Sequence, residues 1–472
     1  MSRRGRGRPR FPIFRKNDRS AGHRAQPLFW ILSAFLVLVF ATGGSSRADV
    51  PFLFILRPAA ILMAAYGVST MHKEHMVACR YPLALAGAIL VLTIAHLVPL
   101  PPAIWHGLPG RDLVQAIDAK VGLAGQWRPI SLVPSKTLNA LYALSVPVST
   151  VIVAAQLDIE DRVRTLRMAL LLSCVSALVG LLQAAGIPIS LYHSVGRPQT
   201  IEAAGLFANQ NHQAALLAAM IPMMAVMVQL HSSQGRSVRL LKPLIAAGIV
   251  TTVILLIVTG SRSGLALGVI ALGFTLFYGL LQIDWLDRMS TGVAAGIKLA
   301  AGAGLVVIAT AVTVLASRGM ALNRLETLGS DLRPKLWASI VPILPGYQPW
   351  GTGIGSYVEV YRWHEPMALL RETYSNHAHN EYLEIALTAG IPGLLLLLVA
   401  AIMTIVTLWR HRRGVQPATL LARLGATIIV ILACASITDY PLRTPLLSAV
   451  FALAATWCTA PASRRSRADA PA

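Results

Sequence analysis

The sequence contains repeated apolar blocks, each close to the length that an α-helix needs to cross a lipid bilayer. About 20 helical residues span roughly 30 Å of hydrocarbon, and we count about twelve blocks of this kind. The predicted spans lie near residues 28–43, 51–69, 82–98, 138–156, 167–186, 212–230, 241–259, 264–282, 295–316, 391–409, 419–437 and 444–460. We therefore expect an all-α, polytopic membrane protein.

Charged residues are scarce and lie mostly between the apolar blocks. Asp, Glu, Lys and Arg make up 13% of the 472 residues, whereas a soluble domain has about 25%. The net charge is +21, and basic residues are concentrated before the first block and after the last. Basic residues that flank spans favour the cytoplasmic side and contact anionic lipid. The charge therefore predicts a bilayer as partner and does not indicate nucleic acid.

The distribution of basic residues also predicts a topology. With the amino terminus inside, the basic connections near 72–80, 158–167, 236–242, 284–288 and 410–413 all fall on the cytoplasmic side. The expected order is a basic cytoplasmic tail (1–27), spans one to nine (28–316), a large exterior loop (317–390), spans ten to twelve (391–460) and a second cytoplasmic tail (461–472). Both termini are then cytoplasmic.

On this topology, the polar motifs face one compartment. The candidates are the stretch with Asn209 and Asn211, the turn Ser261-Arg262-Ser263, the pair Arg333 and Lys335, and the pair His379 and Asn380. The four cysteines lack metal-ligand spacing, so we expect neither a disulfide framework nor a metal site.

Each basic or amide candidate has two interpretations. Arg262 follows a tight Gly-Ser turn at a helix start, which favours anion binding, but an arginine there can also cap the helix and extend to lipid headgroups. Arg333 and Lys335 either add positive charge to the same anion or face solvent, and Arg197 is a weaker candidate. The two asparagines, Asn209 and Asn211, are helix caps, substrate contacts, or both.

His379 is the candidate base, because an imidazole titrates near neutral pH. We expect Asn376 to cap a short helix that starts near His377, which would place His379 in the first turn and favour its neutral form. Glu381 and Glu384 either orient this imidazole or satisfy the amino end of the helix. Gly390 then ends the short helix, and Pro392 opens the next span.

These residues resemble the O-antigen ligase and polymerase superfamily of bacterial envelope glycosyltransferases. The family signature is His, then Asn, Ser or Gln, nine residues, Gly, two residues, and Gly, Thr or Tyr. Here it is matched by His379, Asn380, Gly390 and Gly393. The stretch 205–211, the Ser-Arg-Ser turn, the run Gly353-Ile354-Gly355 and the long loop before the signature are also similar to the family.

The resemblance implies a membrane glycosyltransferase fold of the GT-C type, without metal or nucleotide cofactor. It implies transfer of a glycan from undecaprenyl pyrophosphate to an acceptor such as the lipid A core, at the periplasmic face of the inner membrane. By the same resemblance, His379 is the base or orients the acceptor, and Arg262 binds the donor pyrophosphate. Arg333 is a looser match to a second phosphate-binding position, while Asn380, Glu381, Asn209, Asn211, Ser261 and Ser263 are supporting candidates.

Other functions stay open. A polymerase of the same family would extend the glycan on its carrier, and a related transferase would glycosylate protein. A transporter or flippase is a further alternative, but coupled transporters usually place ionisable residues in mid-membrane. Here the spans have few charges, and the exceptions Lys298 and Arg423 lie near predicted cytoplasmic ends, where they can extend to the headgroups.

Overall fold

A computed structural model describes residues 26–189, 191–192, 203–235, 237–280, 332–371 and 375–460. This part of the chain is mainly helical, with one short antiparallel ribbon formed by β1 (Pro99–Leu100) and β2 (Arg128–Pro129). In chain order the first helices are α1 (Pro27–Thr42), α2 (Leu53–Ser69), α3 (Lys73–Ala78), α4 (Arg80–Ala95), α5 (Pro102–Trp105), α6 (Asp112–Lys120), α7 (Pro134–Ala143), α8 (Ser145–Ala154) and α9 (Ile159–Ala184). The remaining α-helices are α10 (Gln210–Ser233), α11 (Leu241–Val258), α12 (Arg262–Leu280), α13 (Arg333–Ile340), α14 (Tyr357–His364), α15 (Glu381–Thr388), α16 (Gly390–Arg410), α17 (Pro417–Ala435) and α18 (Pro445–Trp457).

The apolar helices coincide with the predicted spans, apart from 295–316, which lies outside the described residues. Within the described part of the chain, seven helical segments are long and apolar enough to cross a membrane: α7 together with α8, α9, α10, α11, α12, α16 and α17. Four shorter apolar helices, α1, α2, α4 and α18, match further predicted spans. The span predicted as one helix at 138–156 is divided into α7 and α8.

Helix α10 lies at the centre of the bundle. It packs against α9, α11, α12 and α17, and 78% of its most apolar window is buried, compared with 11% for α16. An apolar helix with so little protein around it, such as α16, has the surface expected of a helix that faces lipid. In α17 the buried share of the corresponding window is 67%, so α10 and α17 are the most enclosed of the seven segments.

The described part of the predicted exterior loop folds onto the segment near the ribbon. It contains α13, a 3-10 helix (Val341–Tyr347) and α14, which enclose a small apolar core. Leu132 N donates to Thr352 O at 2.9 Å, and the buried guanidinium of Arg111 donates to Gly351 O at 3.0 Å. These bonds join the segment that contains the ribbon to the described part of the predicted exterior loop.

The two glycines of the signature allow close backbone packing. Gly390 has a φ of +61°, and a Cβ there would overlap the carbonyl oxygen of Pro349. At Gly393 a Cβ would overlap the side chains of Ala389, the cap of α16, and of Ile385 in α15. Both positions therefore need a residue without a side chain, which fixes the joint between α15 and α16 directly after the polar part of the signature.

Candidate active site

Asp439 is the residue on which the polar motifs converge. It lies in the turn between α17 and α18, and its side chain is only 3% exposed. Its Oδ2 accepts hydrogen bonds from Asn209 Nδ2 at 3.2 Å and from Asn211 Nδ2 at 2.7 Å. Its Oδ1 accepts from the backbone nitrogen of Tyr440 at 2.9 Å. The carboxylate is therefore held by neutral donors from two elements.

Three basic side chains lie next to the same carboxylate. His379 Nδ1 is 3.4 Å from Asp439 Oδ1, His212 Nε2 is 3.7 Å from Oδ1, and an Arg333 terminal nitrogen is 3.9 Å from Oδ2. Burial by itself would raise the pKa of Asp439, but the two imidazoles more than offset it and hold this pKa well below its usual range. The carboxyl group is thus charged at neutral pH.

His379 has an unusual backbone conformation. Its φ is +50°, and among the described residues it is the only non-glycine residue in the left-handed region. A side chain there is uncommon and costs on the order of 1–3 kcal/mol, and such positions are concentrated at functional sites. The imidazole is 28% exposed, so a ligand can reach it. Its Nδ1 lies beside Asp439 but makes no hydrogen bond among the described residues.

The short helix does not begin where the sequence predicts. Asn376 was expected to cap a helix from His377, but α15 starts at Glu381, and Asn380 is its cap, accepting from Tyr382 N at 3.0 Å and Leu383 N at 3.1 Å. The prediction was wrong because the positive φ of His379 interrupts the helix before this point. Asn376 instead donates to the Tyr440 hydroxyl at 3.2 Å.

Of the two interpretations of Glu381 and Glu384, the structure does not support the one in which they orient His379. Both carboxylates bind Arg443, with nitrogen-to-oxygen distances of 3.1 and 3.0 Å. Glu384 also lies 3.1 Å from His377 Nδ1 and accepts from Ala378 N at 3.0 Å. Because α15 starts at Glu381, its first turn directs both side chains towards Arg443, and Asp439 occupies the place beside His379.

The two carboxylates have opposite pKa shifts. Burial would raise the pKa of Glu384, but Arg443 and His377 lower it to about 2. Glu381 shares the same arginine and is also fully enclosed, so burial raises its pKa. The Glu384–Arg443 pair thus holds the 377–384 segment by charge, while Glu381 adds hydrogen-bond acceptors to the same guanidinium.

Tyr440 and Trp337 complete the surroundings of His379. The Tyr440 ring centroid is 4.1 Å from that of His377, 5.0 Å from that of His379 and 5.3 Å from that of His212. Burial raises the pKa of Tyr440 to about 12, so its hydroxyl keeps its proton. Trp337 Nε1 donates to Ala378 O at 2.9 Å, which fixes α13 beside the histidine segment.

The Ser-Arg-Ser turn joins this cluster through Asn211. Ser261 Oγ donates to Asn211 Oδ1 at 2.7 Å and accepts from Gly264 N at 2.9 Å, and it is 3.2 Å from Ser263 Oγ. Arg262 is the first residue of α12 and is exposed. Ser261 thus connects the turn to Asn211, and Asn211 in turn donates a hydrogen bond to Asp439.

The structure brings together most, but not all, of the predicted site residues. Asn209 is the cap of α10, accepting from Asn211 N at 2.8 Å, and its Nδ2 donates to Asp439. Its interpretation as a substrate contact stays a prediction. Lys335 is exposed on α13 and has no contact with the Asp439 cluster among the described residues. Arg197 lies outside the described residues. The sequence interpretation missed the roles of Asp439, His212, Tyr440 and Arg443.

Comparison with known proteins supports the resemblance. Residues 247–398 match the family described as O-Antigen ligase. This part of the chain includes the Ser-Arg-Ser turn, Arg333, Lys335 and the signature at His379, and the match confirms the predicted O-antigen ligase superfamily. No curated protein matches the chain.

Proposed function

We propose that this protein, whose residues 247–398 match the family described as O-Antigen ligase, transfers a glycan from undecaprenyl pyrophosphate to the lipid A core. The observation that carries the proposal is the placement of His379 against the buried Asp439, with Arg333 on the same carboxylate. The proposal includes twelve spans, a periplasmic loop at 317–390 and both termini in the cytoplasm of a bacterial inner membrane.

His379 would be the general base. Its Nδ1 faces a carboxylate that is charged at neutral pH, which favours the tautomer with the proton on Nδ1 and leaves Nε2 to accept one. The 3.4 Å separation is longer than a good hydrogen bond, and catalytic contacts often shorten when substrate binds. Asp439 would then stabilise the imidazolium that forms.

The reaction exchanges one C–O bond for another. The acceptor hydroxyl loses its proton to His379 Nε2, its oxygen bonds to the anomeric carbon, and the bond from that carbon to the pyrophosphate oxygen breaks. The leaving pyrophosphate needs positive charge, which we assign to Arg262 and Arg333, with the exposed Lys335 of α13 as a further candidate. Arginine suits this role because it stays charged and can bind two phosphate oxygens.

Arg262 provides a test of the phosphate assignment. We expect Arg262→Ala to lower kcat/KM by about a hundredfold, as for the loss of one transition-state donor, and Arg262→Lys to lower it less, because a point charge remains. Transfer is measured with purified protein and lipid-linked glycan. The control is Arg239→Ala. Arg239 is an exposed arginine just before the start of α11, whereas Arg262 follows the end of that helix. Equal rates in the two alanine variants would remove Arg262 from the site.

A polymerase of the same family is the alternative, and deletion of the gene distinguishes the two. If the protein is the ligase, the deletion strain has a bare lipid A core, and polymer accumulates on the lipid carrier. If it is the polymerase, the core carries a single repeat unit. Surface glycolipid is separated on a gel, and re-expression of the wild-type gene should restore the original pattern. An unchanged glycolipid and carrier pool would contradict both functions.

A further inference from the structure

A small cavity, partly open to the outside, lies at the ends of α10, α12 and α17 that are remote from Asp439. Five of its lining residues are apolar, and the other five are Gln229, Thr275, Tyr278, Arg423 and Thr427. Helix α10 begins at the Asp439 cluster, and a rise of 1.5 Å per residue places Gln229 about 27 Å from Asn211 along its axis. The cavity is therefore separate from the candidate active site.

Arg423 is a buried cation in this cavity without a counter-charge. The sequence predicts that it extends to the headgroups, but it is only 2% exposed. Its hydrogen bonds go to neutral acceptors: Arg412 O at 3.5 Å, Gly414 O at 3.3 Å and Gln229 Oε1 at 3.4 Å. Among the described residues it has no carboxylate within ion-pair distance. The guanidinium carbon also lies 4.9 Å from the centroid of the Tyr278 ring, but none of these contacts supplies a negative charge. A buried cation without a carboxylate partner is costly, and it favours an anionic ligand.

Thr275 provides a second, independent observation. Its Oγ1 is buried and has no hydrogen-bond partner among the described residues. Threonines elsewhere in the bundle bond to the carbonyl four residues before them, as Thr427 does with Arg423 O at 2.9 Å and Thr252 with Gly248 O at 2.8 Å. Thr275 makes no such bond, although the carbonyl oxygen of Ala271 lies four residues before it in the same helix. Its hydroxyl lines the same cavity and is available to a ligand.

The surroundings of the cavity are positively charged. Its lining residues include no acidic side chain, and Arg423 reaches the carbonyl oxygens of the basic turn that follows α16. Burial, together with Arg423 and Arg410, lowers the pKa of His411 in this turn. A ligand for this place should therefore be an anion that accepts several hydrogen bonds.

We propose that Arg423, Thr275 and Gln229 form a binding site for the phosphate group of an anionic membrane lipid. A guanidinium can bind two phosphate oxygens, and the Thr275 hydroxyl can donate to one of them. The cavity lies near the ends of membrane-spanning helices beside a basic turn, which is the depth at which lipid phosphates lie. A lipid held there would bridge α10, α12 and α17, the helices that also position the candidate active site.

The experiment measures the melting temperature of the full-length protein in detergent. Phosphatidylglycerol is titrated, with phosphatidylcholine, diacylglycerol and inorganic phosphate in separate arms. We expect phosphatidylglycerol to raise the melting temperature of the wild type, Arg423→Gln to abolish this shift, and Arg423→Lys to keep part of it. Arg413→Gln, an exposed arginine of the same turn, is the matched control and should retain the full shift.

Thr275→Val keeps the proposal testable if Arg423→Gln does not fold. Valine has the same shape without the hydroxyl, so it should weaken the apparent affinity for phosphatidylglycerol about tenfold while Arg423 is intact. If inorganic phosphate alone raises the melting temperature of the wild type but not of Arg423→Gln, that result would support a phosphate site whose ligand is soluble. Equal phosphatidylglycerol shifts in the wild type and in the Arg423 or Thr275 variants would overturn it, as would an equal shift with diacylglycerol.

Discussion

His379→Ala is expected to eliminate nearly all glycan transfer while the protein still inserts into the membrane. A positioned general base contributes about a hundredfold to ten-thousandfold in rate, and alanine leaves Asp439 without the group that it orients. The effect should fall mainly on kcat, because the imidazole accepts its proton only during the reaction. The rate is measured with purified protein, lipid-linked glycan donor and acceptor.

The control for this variant is His106→Ala. His106 is an exposed histidine in the segment between β1 and β2, and it lies outside the Asp439 cluster. It should transfer glycan at the wild-type rate. Gel filtration and membrane fractionation should give the same profile for the two variants. A His379→Ala protein that retains the wild-type kcat would exclude His379 as the base, whatever the result for Arg262.

The helices and the site residues were predictable to different degrees. The apolar blocks indicated the helices because each block buries its own backbone hydrogen bonds and needs no information about its neighbours. An asparagine cap at the start of α10 was predictable, but the sequence left Asn209 and Asn211 open, and the structure places the cap at Asn209. At Asn376 and Asn380, two asparagines compete for one helix start, and the positive φ of His379 decides between them. A single sequence does not give that angle.

Asp439 was missed for a different reason. In the sequence it is one acidic residue in a short turn, and such residues are usually solvated. Its importance depends on tertiary contacts that bring the start of α10, His379 and the turn after α17 together. The nearby Glu381 and Glu384 were better candidates by distance along the chain, but the direction of the first turn of α15 places them on Arg443.

Asp439→Asn is expected to lower kcat by about a hundredfold to a thousandfold, although asparagine has nearly the same shape. Each carboxylate oxygen faces donors: Oδ2 accepts from Asn209 and Asn211, and Oδ1 accepts from Tyr440 N and lies beside His379. An amide nitrogen on either side therefore meets another donor, unless His379 changes its tautomer to accept at Nδ1. That tautomer has its proton on Nε2 and cannot act as the base, which is the established cost of the same change in catalytic triads.

The pH dependence of stability tests the charge of Asp439. In the wild type the pKa of Asp439 is well below its usual range, so the charged carboxylate stabilises the fold at neutral pH, and this contribution is lost as the pH falls towards the lowered pKa. The melting temperatures of the wild type and Asp439→Asn should therefore differ most near neutral pH and converge in acid. Asp49→Asn, in an exposed turn pair with Arg47, should leave both kcat and the melting temperature nearly unchanged. If Asp439→Asn loses only as much activity as it loses folded protein, Asp439 supports the fold and does not orient His379.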